Sequence, residues 1–376
     1  MPTDNGKTPY NVLLLVVDCL RYDHLPLFER TLGHLGTKVW FSNAWSMAPM
    51  SDPNFATLMT GQHSDTHGVL TQCMDTELMT LQEALSWRGY NTLGGSVRYS
   101  GGPPEGLSGF YFRGFDEWIW LKWLDFDSLA VAERIGALER PWFAMLRPMD
   151  LHESAPQKYD YDRCCRDLDQ RLDLLLGMVV EENTVVVLTA DHGQGLGERG
   201  MWHHREGLWQ FLSHVPVVYA HPSFHARECG ALYQHMDTTA TIAGLCGADF
   251  ETQGIDWSRY LTDTLVPDRM REYVILYSMG SEKRAHLEFS KLWRYRAIRS
   301  YFWSYYESRR QGEEGEPELY FTLTDPLEEH NLATLKPTDK LAAQWSQMLN
   351  WPEDGGYTAE EEEVVLERLR AIGYAD

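Results

Sequence analysis

The chain has 376 residues, of which 43% are hydrophobic and 23% are charged. These proportions are those of an ordinary globular protein, so they argue against a disordered or fibrous chain. The length favours one large domain with a smaller lobe. The formal net charge of −22 repels nucleic acid backbones and anionic membranes, so neither is expected as a partner. An anionic substrate would need local cations or a metal at its site.

The cysteines and the amino-terminal segment predict a cytoplasmic protein. Six cysteines are present and no two of them form a CxxC pair, so a structural zinc site is not expected. The apolar run at residues 12–17 is shorter than the apolar part of a signal peptide. No segment approaches the roughly 20 apolar residues that a membrane span needs.

Four short apolar runs predict buried strands, and they cover residues 11–17, 141–147, 184–190 and 215–219. Helical patterns lie between them, which favours an α/β fold with a doubly wound, mostly parallel sheet flanked by helices. The clearest helix precedes the third run. Its apolar residues recur at spacings of three and four and form one stripe, made of Tyr161, Cys165, Leu168, Leu172, Leu175 and Val179.

The composition changes after about residue 265 and predicts a smaller antiparallel-sheet lobe. Residues rich in β-branched and aromatic side chains form three predicted strands, at 271–278, 293–305 and 318–323. A polar hairpin tip is expected at 309–318 and an amphipathic helix at 358–372. We therefore expect a catalytic domain over 1–265 and a subdomain over 266–376 packed on the same core. The aromatic strands are also compatible with a homo-oligomer.

The segment WIWLKWL at 118–124 does not favour one structure. Trp118 and Trp120 lie two apart, as on one face of a strand, whereas Trp120 and Trp123 lie three apart, as on a helix.

Polar residues follow three of the apolar runs, in the pairs Asp18 with Arg21, Asp150 with His152, and Asp191 with His192. Carboxylate and imidazole groups are ligands for borderline divalent cations such as Zn²⁺ and Mn²⁺. A single aspartate after a strand is commonly a helix cap. The repetition after three parallel strands is what favours a shared site, because their carboxyl ends meet at one edge of the sheet.

A fourth polar segment contains Ser51, just ahead of a helix-like run that stops at Gly61. The backbone N–H groups and dipole at a helix start favour an anion. A nearby metal would lower the pKa of the hydroxyl and make Ser51 a nucleophile. The alternative is that Ser51 or Asp52 only caps the helix. His63 and His67, which follow this helix, are interpreted as structural.

Six segments resemble the sulfatase-like branch of the alkaline phosphatase superfamily, in the same order along the chain. They are NVLLLVVDCLRYDHL (11–25), APMSDPNFATLMTG (48–61), RPMDLHESAP (147–156), VVVLTADHGQGLGERGMWHH (185–204), LWQFLSHVPVV (208–218) and ELYFTLTDPLEEHNLA (318–333). The resemblance implies an ester hydrolase with one divalent cation, Zn, Mn, Ca or Mg, and room for a second. The substrate it implies is a small anionic ester.

The resemblance also assigns roles to individual residues. It implies metal binding by four of them, Asp18, Ser51, Asp191 and His192. Ser51, His152, His203 and His204 are the predicted catalytic group. Asp150, Asn54 and Arg21 are the predicted substrate-binding group, with a pairing between Arg21 and Asp23 as the alternative for Arg21.

Two departures from the family pattern bear on the reaction. Sulfatases that use formylglycine carry an arginine four residues after the nucleophile, and here that position is Phe55. They also carry two adjacent carboxylates in the first motif, whereas Cys19 follows Asp18. Both resemble the Ser/Thr-nucleophile members that act on phosphate-type esters. The prediction is thus a phosphoester or phosphonate hydrolase with a covalent Ser51 intermediate. The alternatives are a sulfatase with formylglycine made from Ser51, a phospho-group transferase, and an inactive binding module.

Overall fold

The protein is described from a computed structural model. The structure describes residues 8–72, 74–97, 109–122, 125–152, 160–280, 292–336, 338–349 and 351. The predicted helix at 358–372 lies outside these residues.

Fifteen strands are present among the described residues. They are β1 (Asn11–Val16), β2 (Lys38–Phe41), β3 (Ala44–Trp45), β4 (Asn91–Val97), β5 (Glu117–Leu121), β6 (Trp142–Arg147), β7 (Thr184–Thr189), β8 (Val217–Ala220), β9 (Arg227–Cys229), β10 (Tyr233–Gln234), β11 (Val274–Met279), β12 (Arg294–Arg299), β13 (Trp303–Arg310), β14 (Glu313–Glu314) and β15 (Glu318–Phe321). The four predicted strands of the main sheet correspond to β1, β6, β7 and β8.

Ten α-helices accompany these strands in the described part of the chain. They are α1 (Glu29–His34), α2 (Ser51–Thr60), α3 (Ser64–His67), α4 (Leu81–Trp87), α5 (Ser128–Gly136), α6 (Tyr161–Val179), α7 (Gln210–Ser213), α8 (His235–Cys246), α9 (Ser258–Asp263) and α10 (Asp339–Met348). All six residues of the predicted apolar stripe on α6 are buried, so that prediction is confirmed. None of the helices in the described segments has both the length and the apolar character to cross a bilayer.

The main sheet has eight strands in the order β5-β4-β6-β1-β7-β8-β2-β9. Only β8 runs against the others, so the predicted doubly wound, mostly parallel sheet is confirmed. β1 lies between β6 and β7, with Leu15 paired to Leu146 on one side and to Leu188 on the other. The carboxyl ends of these three strands therefore lie side by side.

The two faces of the main sheet are covered by separate apolar layers. Along β1, Val12, Leu14 and Val16 point to one layer, while Leu13 and Leu15 point to the other. This alternation follows from the period of two in a strand. Helices α2, α4 and α8 cover the first face, and α1, α5 and α6 cover the second. Burial on both faces explains why β1 is apolar at every position after Asn11.

The C-terminal strands β11 to β15 form the second, antiparallel sheet that the sequence predicts. The predicted strand at 293–305 is wrong in one respect, because the chain turns at residues 300–302 and makes two strands, β12 and β13. The second sheet also touches the Ser51 segment, since the backbone N–H of Tyr277 donates to the carbonyl of Met47 at 3.0 Å. The ambiguous tryptophan segment contains a strand, β5, and residues 123–124 are outside the described part.

Candidate active site

Two aspartates follow the adjacent strands β1 and β7, and both are completely buried. Oδ1 of Asp191 accepts hydrogen bonds from the backbone N–H groups of Cys19 at 3.1 Å and His192 at 2.9 Å. The other oxygen of Asp191, and Oδ1 of Asp18, have no hydrogen-bond partner among the described residues. Asp191 thus has one oxygen fixed by backbone N–H groups, and each of the two carboxylates has one oxygen left for a further ligand.

His192 completes this group. Its Nδ1 lies 2.8 Å from the carbonyl oxygen of Gly193, so Nδ1 is assigned the hydrogen and donates it. Nε2 then presents a lone pair, which is the form that binds metal. Asp18, Asp191 and His192 offer ligand atoms that all lie within 4.8 Å of one another. The structure therefore brings together the three residues that follow β1 and β7 in the sequence.

Ser51 is the first residue of α2, and its hydroxyl points into this group. Its Oγ lies 3.3 Å from Nε2 of His192 and 3.5 Å from Oδ2 of Asp18. The side chain is buried, at 1% exposure. Met50, the residue before the helix, has an extended backbone, which aims the first helical residue at the strand ends.

Asn54 has a structural role in the turn before α2. Its Oδ1 accepts from the backbone N–H groups of Met47 and Ala48, and its Nδ2 donates to the carbonyls of Ala48 and Met50. These four bonds use the donors and most of the acceptor capacity of a buried amide. Substrate binding by Asn54 remains a prediction. Asn54 shapes the turn that presents Ser51.

Arg147, the last residue of β6, is the residue that the sequence interpretation missed. Its guanidinium donates to Oγ of Ser51 at 2.6 Å, and Nε donates to Oδ2 of Asp18 at 3.0 Å. It also lies 3.7 Å from Oδ2 of Asp191 and is 1% exposed. The signal available in the sequence was the arginine at the end of the predicted strand 141–147, in a sheet whose first predicted strand, 11–17, is followed by Asp18.

The two aspartates differ in their electrostatic surroundings. Burial by itself raises the pKa of a carboxyl group, but the charge of the Arg147 guanidinium holds the pKa of Asp18 well below its usual range. Burial and the nearby charge of Asp18 raise the pKa of Asp191. Two buried carboxylates at this spacing repel each other, so added positive charge between them is stabilising.

Two of the predicted histidines join the cluster. The ring of His204 stacks on His192 at 4.3 Å, and His152 lies 5.3 Å from His204. Nδ1 of His204 lies 2.8 Å from the carbonyl of Pro49 and donates to it, which leaves a lone pair on Nε2. Burial, together with His192 and His152, lowers the pKa of His204 well below its usual value. His204 is therefore a neutral base.

The remaining predicted histidines lie in other surroundings. His203 is half-exposed, and its ring lies 3.7 Å from the carboxylate of Glu206. Of the adjacent pair, the structure thus brings His204 into the cluster. His67 is buried with Nε2 3.0 Å from the hydroxyl of Thr57, and His63 caps α3. Both contacts are of the structural kind predicted.

Arg21 and Asp150 each form an ion pair. Arg21 contacts Asp23 and Glu198, both at 2.6 Å, which is the pairing alternative for this residue. Asp150 contacts Arg171 on α6 at 2.6 Å, while burial raises its pKa to about 6. Substrate binding by Asp150 remains a prediction.

The arrangement has counterparts among known proteins. A family model described as Sulfatase matches residues 10–248, which is more than half of the chain. The chain belongs to the sulfatase family. Members are ester hydrolases, and the predicted resemblance to the sulfatase-like branch is confirmed.

Among curated proteins, this sulfatase-family chain is similar to the ulvan-active sulfatase of Formosa agariphila. The two are 22% identical over 82% of this chain and 73% of that protein. Among solved structures, a 2-O GAG sulfatase matches with a TM-score of 0.75 and 18% identity over 91% of each chain. The phosphonate monoester hydrolase of Agrobacterium radiobacter matches with a TM-score of 0.73 and 15% identity, over 90% of this chain and 94% of that one. Identities this low show a shared fold.

The residues of this sulfatase-family site fit a divalent cation. Asp18 and Asp191 each have a buried carboxylate oxygen without a hydrogen-bond partner in the described segments, and that of Asp191 lies 3.6 Å from Nε2 of His192. A buried carboxylate oxygen without a hydrogen-bond partner is costly, and a cation would remove that cost. Two carboxylates and one imidazole form a donor set that borderline cations accept.

Proposed function

We propose that the protein hydrolyses phosphate-type esters, namely phosphomonoesters, phosphodiesters or phosphonate monoesters, with Ser51 as the nucleophile. The observation that carries this proposal is the position of Ser51 Oγ, 3.3 Å from His192 Nε2 and 3.5 Å from Asp18 Oδ2. A hydroxyl held this close to a cluster suited to a cation is set up for activation. Phe55, which replaces the arginine of formylglycine sulfatases, supports an unmodified serine.

The reaction has two steps. In the first, Ser51 Oγ gives up its proton and forms a bond to phosphorus while the bond from phosphorus to the leaving oxygen breaks. The leaving alcohol takes up a proton, for which His152 is the proposed donor. In the second, a water oxygen bonds to phosphorus and gives a proton to the deprotonated His152, the bond to Ser51 Oγ breaks, and the serine regains the proton that it gave up in the first step.

The other side chains of the site accept protons and would hold the cation during these steps. His204 has its Nε2 lone pair available, so it can accept a proton from the serine. Asp18, Asp191 and His192 are the residues that would hold the divalent cation. When bound, such a cation lowers the pKa of a neighbouring hydroxyl and offsets negative charge on the phosphoryl oxygens.

A sulfatase is the second candidate, and the family match and the similarity to an ulvan-active sulfatase favour it. In that case residue 51 would be formylglycine, made by oxidation of the serine side chain. The loss of two hydrogens changes the mass of the peptide by about two units, so peptide mass spectrometry of the purified protein separates the candidates.

The decisive experiment is a panel of aryl phosphate, aryl phosphodiester, aryl phosphonate and aryl sulfate, each with Zn²⁺, Mn²⁺, Mg²⁺ or Ca²⁺. We expect turnover of at least one phosphorus ester, an unmodified Ser51, and a loss of at least about 1,000-fold in kcat for Ser51→Ala. Preferred turnover of the aryl sulfate with a modified residue 51 would establish the sulfatase instead.

Ser64→Ala is the matched control. Ser64 is also the first residue of a helix and is fully buried, and its hydroxyl has no hydrogen-bond partner in the described part of the chain. It should keep wild-type kcat. An added alcohol that diverts the phospho group from water would reveal a transferase. No turnover and no bound metal in any arm would leave the inactive binding module.

A further inference from the structure

The residue four positions after the nucleophile is Phe55, and its ring packs against Arg147 at the end of β6. Phe55 lies on α2 and is fully buried. The guanidinium carbon of Arg147 lies 5.0 Å from the centre of its ring. An arginine over an aromatic face is held by dispersion and by the ring quadrupole. The side chain at position 55 therefore fixes where a guanidinium sits, although it carries no charge itself.

The same guanidinium contacts the nucleophile. It donates to Oγ of Ser51 at 2.6 Å and to Oδ2 of Asp18 at 3.0 Å. These contacts follow from the sheet, because β6 is paired with β1 and the backbone N–H of Asp18 donates to the carbonyl of Pro148 at 3.0 Å. Arg147 is thus delivered to the end of β1 by the strand register.

Two of the first three residues of α2 have no free N–H group to offer an anion. The backbone N–H of Asp52 is already used by Oε1 of Gln72 at 2.8 Å, and Pro53 has no N–H. The carboxylate of Asp52 adds negative charge next to Ser51, although the hydroxyl of Tyr111 donates to it at 2.9 Å. The anion-binding character expected of a helix start is therefore reduced here, and a further cation near Ser51 would add to it.

We propose that Arg147 supplies, from the neighbouring strand, the cation that the nucleophile motif lacks at position 55, and that Phe55 is the platform that aims it. The inference rests on the proposed function, in which Ser51 is the nucleophile. Arg147 stabilises the negative charge that develops on Ser51 Oγ and on the ester oxygens. It moves no proton, because a guanidinium stays protonated.

The test is an exchange of the cation between the two positions. Arg147→Leu should lower kcat by at least about 100-fold, the size of effect seen when one donor to a developing oxyanion is removed. Phe55→Arg alone should also lose activity, because two buried guanidinium groups would share one site. The double variant, Phe55→Arg with Arg147→Leu, should recover at least about tenfold in kcat over Arg147→Leu. Arg147→Lys, which keeps the charge without the planar fork, should fall between wild type and Arg147→Leu.

A second readout uses the metal-free protein and no turnover. An aryl fluorophosphonate forms a bond from phosphorus to Ser51 Oγ as fluoride leaves, and the adduct is counted by intact mass. The rate of labelling should fall in Arg147→Leu and recover in the double variant. Arg271→Leu is the matched control, because Arg271 also pairs with a fully buried aspartate, Asp237. It should lower the melting temperature while leaving labelling and kcat unchanged.

The outcomes separate this inference from the proposed function. If Ser51→Ala retains activity, the nucleophile assignment fails and the role of Arg147 fails with it. If Ser51→Ala is inactive while a folded Arg147→Leu keeps kcat and labelling within about threefold, only the role of Arg147 is overturned. A double variant that folds but recovers neither readout also overturns it. The inference expects a guanidinium at position 55 to stabilise the oxyanion in place of the one removed from position 147. Equal losses in Arg271→Leu and Arg147→Leu would show a general effect of breaking a buried pair.

Discussion

At the scale of single residues, the site contains two buried aspartates, and each has one carboxylate oxygen held by the protein. Asp191 is held through Oδ1 by two backbone N–H groups, and Asp18 is held through Oδ2 by Arg147. Their remaining oxygens have no hydrogen-bond partners among the described residues, and the two side chains offer ligand atoms within 4.8 Å of one on His192. Fixed geometry of this kind favours a cation because the ligands need little reorganisation to bind it.

Replacement of Asp191 by Asn should therefore abolish metal binding while leaving the fold intact. Oδ1 can still accept its two backbone hydrogen bonds as an amide oxygen, but the negative charge is lost. We expect the metal affinity to fall by more than the roughly 10- to 100-fold typical of changes to supporting residues. Isothermal titration of the metal-free protein with Mn²⁺ and Zn²⁺ measures this loss.

Asp169→Asn is the control for that measurement. Asp169 is also a buried aspartate that accepts two backbone N–H groups, from Arg30 and Thr31, but it lies on α6. It should bind metal as the wild type does. Unchanged metal affinity in Asp191→Asn would contradict the assignment of this residue as a ligand.

The sequence predicts some of these residues and not others, for physical reasons. Asp18, Asp191 and His192 are polar residues directly after apolar strands, so their position in the fold follows from the strand pattern. Arg147 ends its strand in the same way, yet a long cationic side chain at a strand end is usually solvated. Only the pairing of β6 with β1 shows that it is buried against Asp18. The structural role of Asn54 was not predicted, because the folded turn decides which groups its amide contacts.

At the scale of elements, β4 shows why half of the main sheet escaped prediction. Its sequence, NTLGGSV, has no continuous apolar run, although β4 lies between β5 and β6. A Cβ atom on Gly94 would lie 2.3 Å from the ring of Trp118 on β5, and one on Gly95 would lie 2.8 Å from Ile119. The large side chains of β5 fill the space that β4 leaves empty. Such complementarity between strands is invisible in either sequence segment alone.

A buried glutamate, Glu328, contributes to the attachment of the C-terminal sheet. Glu328 accepts hydrogen bonds from the hydroxyls of Ser304 and Tyr306 on β13. It also pairs with Arg299 on β12 at 3.0 Å and accepts a hydrogen bond from the backbone N–H of Gln210 at the start of α7. It is 1% exposed. It therefore connects two strands of the small sheet to the loop region that follows the metal-site residues.

Glu328→Gln should destabilise the protein by about 3 kcal/mol, because it leaves the buried guanidinium of Arg299 without its counter-charge. Urea unfolding followed by tryptophan fluorescence measures the change in the free energy of unfolding. Glu329→Gln removes the same charge from the adjacent, exposed position and should change stability by less than about 0.5 kcal/mol. Equal effects of the two substitutions would show that the network contributes nothing.

The charge of −22 acts on the whole molecule and in two ways. It repels an anionic ester at long range, and the site counters this with the buried guanidinium of Arg147. It also makes the surface repel itself, which destabilises the compact state. Salt shortens the range of this repulsion, from about 10 Å at 0.1 M to about 3 Å at 1 M.

The melting temperature at pH 7 should therefore rise by several degrees between 0.05 M and 1 M KCl. Salt also has effects that do not depend on net charge, and acidity separates them. The sequence has an isoelectric point near 5.0, so self-repulsion is nearly absent at pH 5. The rise should be at most half as large at pH 5 as at pH 7, measured by scanning calorimetry on the metal-free protein so that screening of metal binding does not enter. An equal rise at both values would mean that preferential exclusion of salt from the surface, rather than screening of negative charge, stabilises this protein.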